Sequence, residues 1–207
     1  MKKKIAIILC AGYGTRMYPL TKNTPKPLLK VGGRSVLDYL MDALNELSEL
    51  KDIYIISNDK FYTHFKKWKS EFHHETKQIH ILNDGSKTNE DRLGEAGDLH
   101  FAFQNTGAFS ETLVVGGDNI FLFPLKPLWD KFLDQEHHMI TALHEEKLNS
   151  LQRTGVLELS DLNQVIRLHE KPKKPPSQYF SPPLYLFKSS AKNRLVHYMN
   201  DVKSMDA

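Results

Sequence analysis

The chain opens with a near-continuous apolar run, Ile5 to Cys10, short enough for a strand buried on both faces, as parallel sheets require. After a long polar loop, Val36, Leu37, Leu40, Leu44 and Leu47 recur at three- and four-residue intervals, which predicts an amphipathic helix capped by Ser35 and running to about Leu50. Ile53 to Ile56 reads as a second buried strand and Phe61 to Phe72 as a helix with Phe65, Trp68 and Phe72 along one side. Ile79 to Leu82 reads as a third strand. Strand, helix, strand, helix, strand is the pattern of a parallel sheet wrapped by crossover helices, so an α/β fold is expected.

A polar stretch from Asn83 to Arg92 precedes a helix opened by Leu93-Gly94-Glu95-Ala96-Gly97 and reaching about Ala108. Leu113 to Val115 reads as a strand that ends in Gly116-Gly117-Asp118, and Leu125 to Gln135 as a helix entered through Pro124 and Pro127. The rhythm then changes. Met139 to His144, Thr154 to Leu159, Gln164 to His169 and Pro183 to Phe187 read as strands, with Asp161-Leu162-Asn163 as the one hairpin signal, so antiparallel pairing enters the sheet. Lys171 to Ser177, with three prolines, is expected to be an extended connector, and Ser190 to Asp201 a final helix.

Composition narrows the class. The 207 residues, 40% hydrophobic and 26% charged, contain no run of about 18 apolar residues, which excludes a membrane-spanning helix and a disordered chain. A net charge of +3 leaves no nucleic-acid footprint, and Cys10, the single cysteine, excludes an internal disulfide and a cysteine-rich zinc site, which makes a cytoplasmic setting the expectation. Met1-Lys2-Lys3-Lys4 before the first apolar run imitates a secretory signal. The glycine-rich segment that follows instead suits a buried strand feeding a phosphate-binding loop.

Gly12 and Gly14 stand at the carboxyl end of the first strand, where open α/β sheets bind ligands and where bare amides approach phosphate oxygens. A G-x-G pair alone also fits a simple turn. The P-loop and the dinucleotide fingerprint both fail, because Thr15-Arg16-Met17-Tyr18-Pro19 follows, and Pro19 prevents a helix from beginning where those motifs need one. Arg16, and Lys26 between Pro25 and Pro27, place two cations on a proline-stiffened loop from the same strand end.

The run Leu-Cys-Ala-Gly-Tyr-Gly-Thr-Arg-Met-Tyr-Pro-Leu-Thr (9–21), then Pro-Lys-Pro-Leu-Leu-Lys-Val-Gly-Gly-Arg (25–34), closely resembles the signature of the sugar-phosphate nucleotidyltransferases, which make NDP-sugars from a nucleoside triphosphate and a sugar 1-phosphate. The resemblance implies a Rossmann-like three-layer sandwich with a mixed, mainly parallel sheet. It also implies one domain over 1–207, with a nucleotide-binding half to about residue 120 and a sugar-phosphate-binding half beyond. By this likeness Ala11, Gly12, Gly14, Thr15, Asn83 and Gly94 bind the nucleotide, Arg16 and Lys26 are catalytic, and Asp118 holds Mg²⁺. Gly155, Glu170, Lys171 and Tyr185 form the sugar-phosphate site. Glu95 stands where a threonine or small residue is usual, and Ser181-Pro182-Pro183 replaces a glycine-containing approach. Relatives continue past this point to a strand bearing a second metal-binding aspartate, so these 207 residues resemble a minimal core that stops early, and if the natural chain ends here the expectation is that Asp118 and the phosphates alone hold the metal. Members of the family are often homo-oligomers.

The reaction implied is displacement at the α-phosphorus with pyrophosphate leaving. A phosphate monoester, with a second pKa of about 6, is already an anionic nucleophile at neutral pH, so no general base is needed. Positioning and charge neutralisation are needed, and the candidates are cations, amides and a carboxylate. The implied roles put the Gly12 and Gly14 amides and Arg16 on the β and γ phosphates, Lys26 between α-phosphate and acceptor, Lys171 on the sugar phosphate and Glu170 on a sugar hydroxyl. Two other readings stay open, a cytidylyltransferase acting on phosphocholine or a phosphonate and a catalytically silent regulatory homologue. The base is undetermined, since Asp118 to Phe121 resembles thymidylyl-transferring members and Pro25 to Leu29 resembles guanylyl- and uridylyl-transferring ones. The pairs His73-His74 and His137-His138 read as surface, and Trp68 and Trp129 as packing.

Overall fold

The computed structural model describes residues 2–72 and 77–201. They form two compact units, the first comprising 1–138 with the chain from Leu186 onward, and the second Met139–Tyr185. The chain returns to the first unit at Leu186, within the last strand, and the last helix belongs to that unit.

In the first unit, β1 (Lys3–Leu9) leads into one-turn 3₁₀ helices at Thr15–Met17 and Lys26–Leu28 and then a small hairpin, β2 (Lys30–Val31) and β3 (Arg34–Ser35). Helix α1 (Val36–Asn45) follows. Ser35 accepts a hydrogen bond from the Asp38 amide, and the Asp38 carboxylate accepts one from the Ser35 amide, which closes a capping box. Leu37, Leu40, Met41 and Leu44 are fully buried, each worth about 1.5–3 kcal/mol relative to exposure. The helix stops at Asn45, short of Leu50, because Leu50 already belongs to β4 (Leu50–Ser57), paired with Lys4 of β1. The buried Lys77 ammonium donates to the Leu47 and Leu50 carbonyls (2.6 and 3.1 Å) at that turn.

Helix α2 (Tyr62–Glu71), β5 (Gln78–Asn83), α3 (Gly94–Asn105), β6 (Phe109–Gly116) and α4 (Lys126–Leu133) continue the alternation. β1 pairs in parallel with both β4 and β6, and β4 in parallel with β5, giving the order β5-β4-β1-β6. Leu9 lies opposite both Ile56 and Gly116, and Ser57 opposite Asn83, so all four strands end along one edge. The α/β expectation, a mainly parallel sheet with crossover helices, describes this unit.

The second unit holds β7 (Met139–Ile140), β8 (Leu143–His144), a helical turn α5 (Leu148–Leu151), β9 (Gly155–Leu159), β10 (Val165–Glu170), β11 (Tyr179–Phe180) and the start of β12 (Leu184–Lys188). Its sheet runs β10-β9-β11-β8, and its β9, β10, β11 and β8 pairings are antiparallel. The strand expected over 139–144 is split into two short pieces, since Thr141 turns both its amide and its hydroxyl to the Leu184 carbonyl (3.2 and 3.0 Å). β9 and β10 meet at the expected hairpin, with Asn163 left-handed at φ 57°. From Leu186 the chain rejoins the first unit, where α6 (Ala191–Asp201) packs against α3. No helix among the described residues is long and apolar enough to cross a membrane.

Candidate active site

Parallel strands leave their carboxyl ends along one edge, and the loops there carry the nucleotide-side candidates. The loop after β1 is tied down from beneath. The Asn58 side chain, fully buried, donates to the Ala11 carbonyl (2.7 Å) and accepts from the Phe61 amide (2.9 Å), so one residue holds both this loop and the start of α2. Tyr13 is buried, and its hydroxyl donates to the Ser86 carbonyl (2.9 Å). Between these anchors Gly12 is exposed, with open space where a side chain would stand. Gly14 adopts φ 62°, and its carbonyl accepts from Thr21 (2.6 Å). That left-handed turn starts the 3₁₀ helix carrying Thr15 and Arg16, both exposed.

Lys26 lies in the second 3₁₀ turn, with Pro25 before it and the buried Pro27 after it. Its ammonium pairs with the Asp118 carboxylate just beyond β6, both side chains about two-fifths exposed. Gly117 makes this approach possible. A Cβ there would stand 2.3 Å from Cys10 Sγ and 3.2 Å from both Ile8 and Pro27, so only glycine lets the end of β6 close on β1 and the Lys26 turn. Burial pushes the Cys10 thiol well up, with Asp118 and Asp98 adding to the rise, so this cysteine is inert packing. Asp118 Oδ1 accepts from the Asn119 side-chain amide (3.3 Å).

Asn83, at the end of β5, donates to Asp59 (2.8 Å) and accepts from the Gly85 amide (2.9 Å), so its carboxamide shapes the loop. Gly94 opens α3 at φ 74°, with no side chain capping the first turn. Sequence reasoning missed Asp84 and Asp98. Asp84 Oδ1 accepts from the Ser86 amide and hydroxyl (2.7 and 2.8 Å), while Asp98 is buried on α3 and hydrogen-bonded to Asp84. Burial first, then the Asp84 and Glu95 charges, push the Asp98 carboxyl up to about 8. A signal existed, since Asp98 lies one turn before the buried Ala102 on the same face of the helix.

In the second unit, Gly155 and Glu170 are directly opposed partners of β9 and β10. Glu170 Oε2 lies 3.4 Å from where a Gly155 Cβ would be, so the bare glycine leaves room for that carboxylate. Lys171 follows with φ 45°, its amide donating to the Thr154 carbonyl (3.1 Å) and its ammonium pairing with Glu170 (2.7 Å). The Ser181 amide donates to the Gly155 carbonyl (2.9 Å), which ties the Ser181-Pro182-Pro183 segment to the same place. Gly155, Glu170 and Lys171 are thus brought together, and Tyr185 stands half-buried on β12.

Of the residues set aside, Trp129 is fully buried and Trp68 nearly so, as packing residues are. His137 is exposed, whereas His138 is half-buried: its Nδ1 accepts from the Lys188 amide (3.2 Å) and burial lowers its pKa. His73 and His74 lie outside the described residues. His169 pairs with Glu158 (2.9 Å).

The sequence model of the nucleotidyl transferase family matches residues 5–207. The bifunctional protein GlmU of Methanococcus aeolicus is 30% identical over 89% of this chain and 40% of its own length. A Sulfolobus acidocaldarius protein assigned as a mannose-1-phosphate guanyltransferase is 30% identical over 92% of this chain and 50% of its own. The chain thus spans half or less of the length of these relatives. A Bacillus anthracis crystal structure, assigned as a glucose-1-phosphate thymidylyltransferase and solved with sucrose, superposes with a TM-score of 0.80 at 25% identity, covering 97% of this chain and 76% of that one.

Proposed function

The chain belongs to the nucleotidyl transferase family, and from that premise we propose that it transfers a nucleoside monophosphate from a nucleoside triphosphate to a sugar 1-phosphate and releases pyrophosphate. The observation that carries this reading is the Lys26–Asp118 pair beside the glycine-rich loop. A half-exposed ion pair adds at most about 1 kcal/mol to stability, so its value lies in what it can bind. An incoming triphosphate competes with Asp118 for Lys26. The ammonium then lies on the α-phosphate, where negative charge grows during displacement.

The acceptor phosphate supplies its own nucleophilic oxygen, and the protein's work is alignment. The Gly12 and Gly14 amides with Arg16 hold the β and γ phosphates, with Ala11, Thr15, Asn83 and Gly94 shaping the nucleoside side. In the second unit, Lys171 takes the sugar phosphate and Glu170 a sugar hydroxyl, beside Tyr185. Released from Lys26, the Asp118 carboxylate offers one oxygen ligand to Mg²⁺. A single protein carboxylate suits Mg²⁺, which is commonly bound through one or two carboxylates together with substrate phosphates. When bound there, Mg²⁺ supplies neutralisation of the triphosphate charge. The substrates place the proposed reaction in the cytoplasm.

The test is pyrophosphate release, with Mg²⁺, across ATP, CTP, GTP, UTP and dTTP against several sugar 1-phosphates, phosphocholine and a phosphonate. Turnover with a sugar 1-phosphate is expected. Turnover confined to phosphocholine or the phosphonate moves the chain to the cytidylyltransferase reading. No release, together with no triphosphate binding by calorimetry, makes it a silent homologue.

A further inference from the structure

We propose that Asp98 is a positioning residue of the nucleotide side: as a neutral acid it donates a hydrogen bond to Asp84 and so fastens the start of α3 to the loop after β5. This deepens the nucleotidyl transfer reading and rests on it. Asp84 Oδ2 and Asp98 Oδ1 are both buried with no donor assigned to either among the described residues, and the two carboxyls lie within hydrogen-bonding reach of each other. Asp84 Oδ1 is already taken by the Ser86 amide and hydroxyl. Two buried carboxylates in contact cannot both stay ionised, so one proton must be shared.

The shared proton closes a chain of contacts. Ser86, held by Asp84, offers its carbonyl to both the Tyr13 hydroxyl and the Asp59 amide (2.9 Å each). Asp84 follows Asn83, and Asp98 lies one turn beyond Gly94. The carboxyl pair therefore joins the two segments assigned to the nucleoside with the loop that carries Gly12 and Gly14. The titratable groups acting on Asp98 are Asp84 from the β5 loop and Glu95 from its own helix, and Asp98 in turn acts on Cys10 at the end of β1. Helix α6 also packs against α3 and brings Lys192, Arg194 and His197, none of which shifts the Asp98 carboxyl. Once the proton leaves, at a pKa of about 8, the two carboxylates repel and the fastening opens.

The pH profile tests this. The probe is whichever of ATP, CTP, GTP, UTP and dTTP binds most tightly with Mg²⁺, its affinity measured by calorimetry. Between about pH 7.5 and 9.5 the protonated fraction of a group with this pKa falls more than tenfold, so the wild type is expected to lose about tenfold in affinity. In Asp98→Asn, which keeps a neutral donor, the loss is expected to shrink below about twofold.

Stability gives a readout independent of the ligand. Between the unfolded value of 3.8 and about 8, the unfolded chain has lost this proton while the folded chain keeps it, so wild-type stability falls as pH rises and levels off above about 8. The Tm of Asp98→Asn minus that of the wild type is therefore expected to grow from about pH 5 to pH 8 and then flatten. Asp84→Asn removes the second carboxylate from the other side and is expected to make both profiles shallower, with burial alone still raising the Asp98 carboxyl, which keeps the proposal testable if Asp98→Asn folds poorly. Profiles that the substitutions leave unchanged overturn it. If no triphosphate binds at any pH, the transfer reading fails and the Tm difference alone decides whether the proton is shared.

Discussion

The loops that carry Gly12, Lys26 and Asp118 hang from strands buried on both faces, whereas Gly155, Glu170 and Lys171 sit on a hairpin whose outer strand is exposed at every residue but His169. The first region is held by contacts reaching far along the chain: Asn58 to Ala11, Tyr13 to Ser86, Lys26 to Asp118. The second is held mostly by near neighbours, an ion pair between consecutive residues and backbone bonds across one hairpin, with the Ser181 amide on the Gly155 carbonyl as its longer tie. Buried long-range contacts fix a geometry before any ligand arrives, and exposed local ones leave side chains free to settle around it. A reaction at phosphorus needs the first kind where charge develops and tolerates the second where the acceptor is chosen.

The contrast can be broken by mutation. Lys26→Ala is expected to lower turnover by about a hundredfold or more while leaving Tm nearly unchanged, since the group removed acts on developing charge and its ion pair is half-exposed. Pyrophosphate-release kinetics and a thermal melt check both halves, and near-normal turnover removes Lys26 from the mechanism. Gly117→Ala forces a methyl into Cys10 Sγ and is expected to cost about 1–3 kcal/mol in urea unfolding. Adding Cys10→Ala should recover part of that, which separates crowding from other causes.

On the acceptor side the same kinds of change should spare the fold. Lys171→Gly relieves a left-handed backbone worth about 1 kcal/mol and removes the phosphate-binding cation. The expected result is equal or higher stability with about a tenfold rise in acceptor KM. Gly155→Ala meets only Leu168, at 3.0 Å and more than half exposed, and the Glu170 carboxylate at 3.4 Å, so Leu168 can give way. Stability should move by no more than about 0.5 kcal/mol, with acceptor KM rising about two- to fivefold and kcat little changed. A large loss of stability in Gly155→Ala would erase the distinction between the two regions.

The strands of the first unit were legible because runs such as Ile5 to Ile8 and Ile53 to Ile56 are buried on both faces, and the Ser35 cap because its chemistry is local. The end of α1 was misread, since Leu47 and Leu50 keep the helical spacing although the chain has turned into β4. Tyr179–Phe180 and Leu148–Leu151 escaped because two residues, or a single turn, carry no period. At the site, the motif marked the glycines and cations. It did not mark Asn58, Tyr13 or Asp84, whose partners lie 47, 73 and 14 residues away.

Sequence alone determined the alternation of buried strands and amphipathic helices, the glycine-rich loop with its two cations, and the likeness to a family, because each is written in adjacent residues whose chemistry does not depend on what packs above them. Only the tertiary structure decided that Asp118 meets Lys26, that Gly117 is bare because Cys10 lies against it, and that a carboxyl on α3 faces another across the β5 loop. Those are distances between residues far apart in the chain, fixed by strand register and by close packing, and they decide whether a charged group is solvated, paired or compelled to keep a proton.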